Sequence, residues 1–161
     1  MKFLKYLGIA MGALVLVALV VWLVRTDPMG PVSGKRLSGD ERAFAEAANV
    51  VDEHMLCAVE TRPDDPHSVT TLCFMQGGRF IVPAMGGTKK SWPQYASADS
   101  RVRVKIGEHV YPGTATRLID VDTDAMIAAI VAKYPQYADR DPADAPTDVW
   151  FFEIRARESE S

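Results

Sequence analysis

The sequence predicts a mainly β chain of the α+β class: a small antiparallel barrel of about six strands with flanking helices, preceded by one transmembrane helix. Three features predict it. An uncharged run of 19 residues, Tyr6 to Val24, opens the chain. Six later runs are rich in β-branched and aromatic residues and are separated by turn-forming residues, as short antiparallel strands are. Between and around them lie two stretches whose apolar residues recur at helical spacing.

At 1.5 Å per helical residue the first run nearly crosses a hydrocarbon layer about 30 Å thick. Lys5 and Arg25 close it, and no small-x-small cleavage site follows Trp22-Leu23-Val24. The expectation is therefore an uncleaved anchor over residues 1–25, with residues 6–24 in the lipid bilayer. Lys2 and Lys5 face Arg25, Lys35 and Arg36 across it, and the short N-terminal tail favours a domain on the outer, extracytoplasmic side. Residues 26–37 (TDPMGPVSGKRL) carry two prolines and two glycines without periodicity and read as a linker. One domain over 38–157 and a polar tail over 158–161 complete the chain. A formal charge of −3 and a pI near 5.6, with basic and acidic residues interspersed, leave no field for a phosphate backbone, which excludes nucleic acid as a partner.

Within the domain, Ser38 and Glu41 match a capping box. Phe44, Ala47, Ala48, Val51 and Met55 then form one apolar stripe of a helix. Strands are predicted at Met55–Thr61, Val69–Met75 and Arg79–Pro83, split by RPDDPHS and by QGG. A short Trp-containing helix follows. Val102–Ile106 and Val110–Val121 flank the hairpin turn Gly107-Glu108-His109. Asp122–Tyr134 reads as a helix stopped by Pro135, and Val149–Ala156 as the last strand.

Cys57 and Cys73 are the only cysteines, on the first two strands either side of a turn centred near Asp65. Facing each other, they could form a disulfide, which an oxidising compartment would favour. One residue of register error would instead leave two small buried hydrophobes. His54, His67 and His109 show no ligand spacing, so no metal is expected. Gly30 to Lys35 (GPVSGK) is one residue short of a phosphate loop and does not follow a strand.

The segment most suited to a ligand is Met85-Gly86-Gly87-Thr88-Lys89-Lys90-Ser91-Trp92, where a strand ends and a helix opens. Glycines admit close approach, helix-opening amides favour anions, and two lysines add charge for a phosphate or carboxylate. Trp92 could stack on a planar ring or sit in the core.

Taken in order, GRFIVPAMGGTKK and SWPQYASADSRVRVKIGEHVYPGTATRLID resemble segments of the flavin-binding split-barrel superfamily, which includes pyridoxamine-phosphate oxidases. The deazaflavin-dependent nitroreductase family is the nearest to this pattern, with Trp92, Arg101, Val102 and Val104 at its spacing. The resemblance implies a split barrel binding FMN or a deazaflavin, cofactor contacts from Gly87, Thr88, Lys89, Lys90, Ser91 and Trp92, and a homodimer. Its relatives carry a glycine-, lysine- and serine-rich turn where this chain has Pro63-Asp64-Asp65-Pro66, two acids that would oppose an anionic cofactor. Two functions are consistent with these features. One is a membrane-tethered flavin or deazaflavin oxidoreductase of the nitroreductase or quinone-reductase kind, in which the cofactor carries the chemistry and no catalytic residue is assigned. The other is a non-catalytic envelope domain, for binding or scaffolding, that kept the barrel without the cofactor.

Overall fold

A computed structural model describes residues 2–24, 26–139 and 147–157. Helix α1 (Lys2–Val24) is followed by a two-residue strand β1 (Asp40–Glu41) and a broken helical stretch containing α2 (Ala47–Val50) between two 3-10 turns. Next come β2 (Cys57–Thr61), β3 (His67–Thr71), β4 (Phe74–Gln76) and β5 (Arg79–Met85). Helix α3 (Ser91–Ala98), β6 (Arg101–Ile106), β7 (His109–Leu118), α4 (Thr123–Lys133) and β8 (Val149–Ala156) complete the order.

The seven longer strands pair in the order β3-β2-β6-β7-β8-β5-β4, each pair antiparallel, while β1 pairs with β7 in parallel. The sheet curls until its two ends approach, and the Thr71 hydroxyl donates to the Pro83 carbonyl at 3.2 Å. Strand alternation divides the apolar residues between two cores. Phe80, Val82 and Ala84 of β5 face inward with Phe152, Ile154, Val102 and Val104. Ile81 and Phe151 face outward beneath Met126 and Ile130 of α4 and Tyr134, the residue just after it. Tyr134 is fully buried; its hydroxyl donates to the Cys73 carbonyl at 2.7 Å and accepts from the Cys73 amide at 3.1 Å. That satisfies the backbone where β3 gives way to β4.

Several sequence expectations are corrected. No helix among the described residues is long and apolar enough to cross a membrane, so the single-pass anchor over residues 6–24 does not stand. The bilayer partner and the outer-side placement rested on that anchor and fall with it. The capping box does not form. Ser38 donates from its amide (2.8 Å) and hydroxyl (2.7 Å) to Asp27, and Glu41 is paired with Arg103 at 2.9 Å. The helix predicted there shrinks to the stretch from Phe44 to Glu53, which still buries Ala47 and Val51. Among the described residues eight strands stand where about six were expected, because β1 is added and the run Val69–Met75 breaks at Leu72-Cys73 into β3 and β4.

The pairing of β2 with β3 places Cys57 opposite Thr71, centred on Asp64, so the facing register expected for Cys57 and Cys73 is not formed. Both are buried free thiols. Burial, and next to it the neighbouring Cys73, pushes the Cys57 thiol well above its ordinary pKa.

Candidate functional site

Strand β5 ends at Met85, and Gly86, at φ +73°, turns the chain toward α3. Asp148, just before β8, holds this turn. Its carbonyl accepts from the amides of Gly86 (2.6 Å) and Gly87 (3.1 Å), and its carboxylate from the amide of Thr88 (2.8 Å) and the Thr88 hydroxyl. The amides of Lys89 and Lys90 close back onto the Gly86 carbonyl at 3.0 and 3.1 Å. Gly87 is pressed against the Trp150 indole, and its carbonyl accepts from Gln94 at 2.9 Å. The Thr88 hydroxyl and amide hold the Asp148 carboxyl below its ordinary range.

This turn therefore satisfies its own backbone donors. An anion arriving here meets the side chains of Lys89 and Lys90, which are exposed. Lys89, Lys90, Ser91 and Trp92 line a cavity of about 460 Å³; Gly87 and Thr88 are not in its lining. Trp92 is 3% exposed and packs on Phe152 with ring centroids 5.3 Å apart, so it is a core residue with one edge at the cavity.

The remaining wall was not found from sequence. His67, Val69, Thr70 and Thr71 of β3 contribute to it, as do Gly30, Pro31 and Ser33 from the segment read as a linker. Alternation along β3 carries the one signal that could have pointed there, since His67, Val69 and Thr71 share a face. His67 Nε2 lies 3.4 Å from Ser91 Oγ, and its ring meets Tyr95 edge-on at 5.5 Å. Arg62 lies over the Tyr95 ring, 4.6 Å from its centroid. Burial, then the Arg62 charge, lowers the His67 pKa below 6.5, so the imidazole is neutral at pH 7.

The two acids of the β2–β3 turn are accounted for: Asp65 pairs with Arg62, and Asp64 lies 3.6 Å from Arg101. Their charge is matched locally instead of opposing an anion in the cavity. Among the described residues no three His, Cys, Asp or Glu side chains converge as metal ligands would.

Comparison with known proteins follows this geometry. Among solved structures, similarity is found to a protein of Listeria innocua described as a candidate pyridoxamine 5'-phosphate oxidase. It has 14% identity and a TM-score of 0.53, covering 71% of this chain and 94% of that one. A NimC/NimA family protein of Clostridium acetobutylicum is 12% identical, with a TM-score of 0.51 over 69% of this chain and 81% of its own. A conserved hypothetical protein of Mycobacterium tuberculosis is 17% identical, with a TM-score of 0.51 over 71% and 80%. At these identities the likeness is one of fold. No curated protein matches the sequence. The family model for F420H(2)-dependent quinone reductases matches residues 40–148, a span that holds β1 to β7, the Gly86–Trp92 turn and the Asp148 that secures it. The chain, with its flavin- and deazaflavin-type split barrel, belongs to the F420H(2)-dependent quinone reductase family.

Proposed function

We propose that this protein is a deazaflavin-dependent oxidoreductase that uses reduced F420 to reduce a quinone. The family match over residues 40–148, which includes the lysine-bearing wall of the cavity, carries the reading. The chemistry of the donor set fits such a cofactor. Two lysine cations stand at the rim for an anionic group, and apolar Val69 and Trp92 border the interior for a planar ring. When bound, reduced F420 supplies a hydride.

The chain's own residues bind, orient and manage protons. Lys89 and Lys90 attract the cofactor's phosphate, while the Asp148-bound turn fixes where their backbones stand. The hydroxyls of Ser91 and Thr70, on residues that line the same cavity, would offer hydrogen bonds to polar ring substituents. A quinone takes up one proton with each hydride to become a hydroquinone. His67, neutral and 3.4 Å from Ser91 Oγ, is the imidazole on this cavity that can pass that proton on from solvent, giving it up readily because burial and the Arg62 charge disfavour the imidazolium. Assembly as a homodimer belongs to the same reading and is checked by sedimentation.

Titration of the purified full chain with F420, followed by deazaflavin fluorescence, tests the proposal. Saturable binding is expected, weakened about tenfold in the Lys89→Gln/Lys90→Gln variant and less dependent on salt there, since a tenfold change corresponds to about 1.4 kcal/mol. Folded protein that takes up no F420 would overturn the reading.

A further inference from the structure

Residues 26–35 form a hairpin. The amide of Lys35 donates to the Thr26 carbonyl at 2.6 Å, and Met29 and Val32 exchange backbone bonds of 3.0 Å in both directions. Gly30 and Pro31 make its tip, with Gly30 at φ +55°. Gly30 adopts this conformation without a side-chain penalty and the Pro31 ring fixes the next φ, so the tip is stiff. At Gly34 a Cβ would lie 2.4 Å from the Thr26 carbonyl oxygen, which shows how closely the two arms pack.

Two attachments seat this hairpin on the barrel. Gly34 exchanges backbone bonds with Ser68 of β3, at 2.8 and 3.1 Å. Asp27 pairs with Lys105 of β6 at 2.6 Å while accepting both donors of Ser38. Held in this way, Gly30, Pro31 and Ser33 become part of the wall of the cavity that Lys89, Lys90, Ser91 and Trp92 also line. The hairpin lies upstream of residue 40, outside the span that the family model matches. At 460 Å³ the cavity is toward the small end of ligand pockets, about 300 to 1,000 Å³. A bound tricyclic cofactor therefore leaves little room, and a stiff tip at the rim decides how much more can enter.

We propose that the hairpin 26–35 is a specificity element whose Gly30-Pro31 tip, docked through Asp27–Lys105 and Gly34–Ser68, limits the acceptor to small, single-ring quinones. This rests on the quinone-reductase reading of the same cavity. The hairpin contributes bulk and rigidity to the site and no chemistry of its own.

The test compares a single-ring benzoquinone with a three-ring anthraquinone sulfonate on the full chain. Two variants are used: Asp27→Ala, which releases the hairpin from Lys105, and Pro31→Gly, which removes bulk and stiffness at the tip. With F420-loaded enzyme, the kcat/KM ratio of the small to the large acceptor is expected to fall about tenfold in either variant, about 1.4 kcal/mol of lost discrimination. A ratio within each variant is unaffected by a general loss of activity. Calorimetric affinities of the two quinones for protein loaded with oxidised F420 supply the second readout; the wild type is expected to bind the smaller one more tightly, and each variant to narrow the difference. Amide exchange at Gly34 and Ser68 reports whether Asp27→Ala has freed the hairpin. Unchanged acceptor ratios and affinities in Pro31→Gly, and in an Asp27→Ala protein whose Gly34 amide exchanges faster, would overturn the proposal. A wild type that takes up no F420 would sink the cofactor reading and this proposal with it, whereas F420 uptake with acceptor ratios unmoved in both variants would sink the hairpin's role alone.

Discussion

A single carboxylate oxygen, Asp148 Oδ2, accepts hydrogen bonds from both the amide and the hydroxyl of Thr88, 60 residues away in sequence. Through this contact the start of β8 holds the turn that carries Lys89 and Lys90. In Asp148→Ala the amides of Gly86 and Gly87 keep their carbonyl partner, but Thr88 loses the one acceptor that serves both its amide and its hydroxyl. Hydrogen exchange is expected to show the Thr88 amide opening on the order of tenfold faster, with the core strands unchanged. Retained protection at Thr88 would show that the turn holds itself.

Gly87 has no room for a side chain. An added Cβ would lie 2.3 Å from the Trp150 ring, which Arg117 covers on another side with its guanidinium 3.3 Å from the centroid. Gly87→Ala must push the indole away from its stack or tear the turn from β8. Overpacking of this kind costs about 1–3 kcal/mol, measurable as a lower urea midpoint at unchanged m-value.

Glu60 is 2% exposed and the Arg103 side chain 12%. Glu60 Oε2 accepts from Arg103 at 2.7 Å and from the Leu37 amide at 2.6 Å. Arg103→Leu strands the carboxylate in the wall between β2 and β6, and a loss of about 3–5 kcal/mol is expected in equilibrium unfolding. Replacing both residues, Glu60→Met with Arg103→Met, should restore most of it. A double variant no more stable than Arg103→Leu alone would refute the assignment of that loss to an unpaired buried charge.

His67 makes stability depend on pH. Its folded-state pKa lies below the unfolded value of 6.5, because burial and the Arg62 charge disfavour the imidazolium. The unfolded chain therefore binds the proton first as pH falls through 6.5, and stability drops from there toward the folded pKa. Above 6.5 both states are neutral and this contribution is constant. The carboxyls held low, Asp27, Asp99 and Asp148, titrate beneath 3.8 and do not enter this window. Urea unfolding at pH 7.5 and 5.5 should show a smaller difference in His67→Asn than in the wild type. An equal difference would place the proton elsewhere.

Most of the barrel is legible in the sequence because its signals are local. Val102, Val104 and Ile106 alternate with charged residues, and Asp122 caps α4 by accepting from the Ala125 amide at 3.0 Å. The break between β3 and β4 is hidden, since Leu72-Cys73 contains no glycine or proline and the stop is imposed by Tyr134 at the end of α4. Ser38 and Glu41 mislead for a related reason: their capping partners are present, but Asp27 and Arg103 take the side chains first. At the site, the lysine-bearing turn is written in adjacent residues. The wall made by residues 30–33 is not, because it depends on Gly34 meeting Ser68, and nothing in GPVSGK states which strand it will join.

That meeting has a consequence for how this protein can associate. Strand β3 ends one side of the sheet, and a bare edge there would be a template for any extended chain, including another copy. Gly34 already occupies the backbone groups of Ser68, and β4 at the opposite edge is three residues long. Strand addition is thereby disfavoured at both edges, and contact between molecules falls to side-chain surfaces, where shape and charge can select a partner.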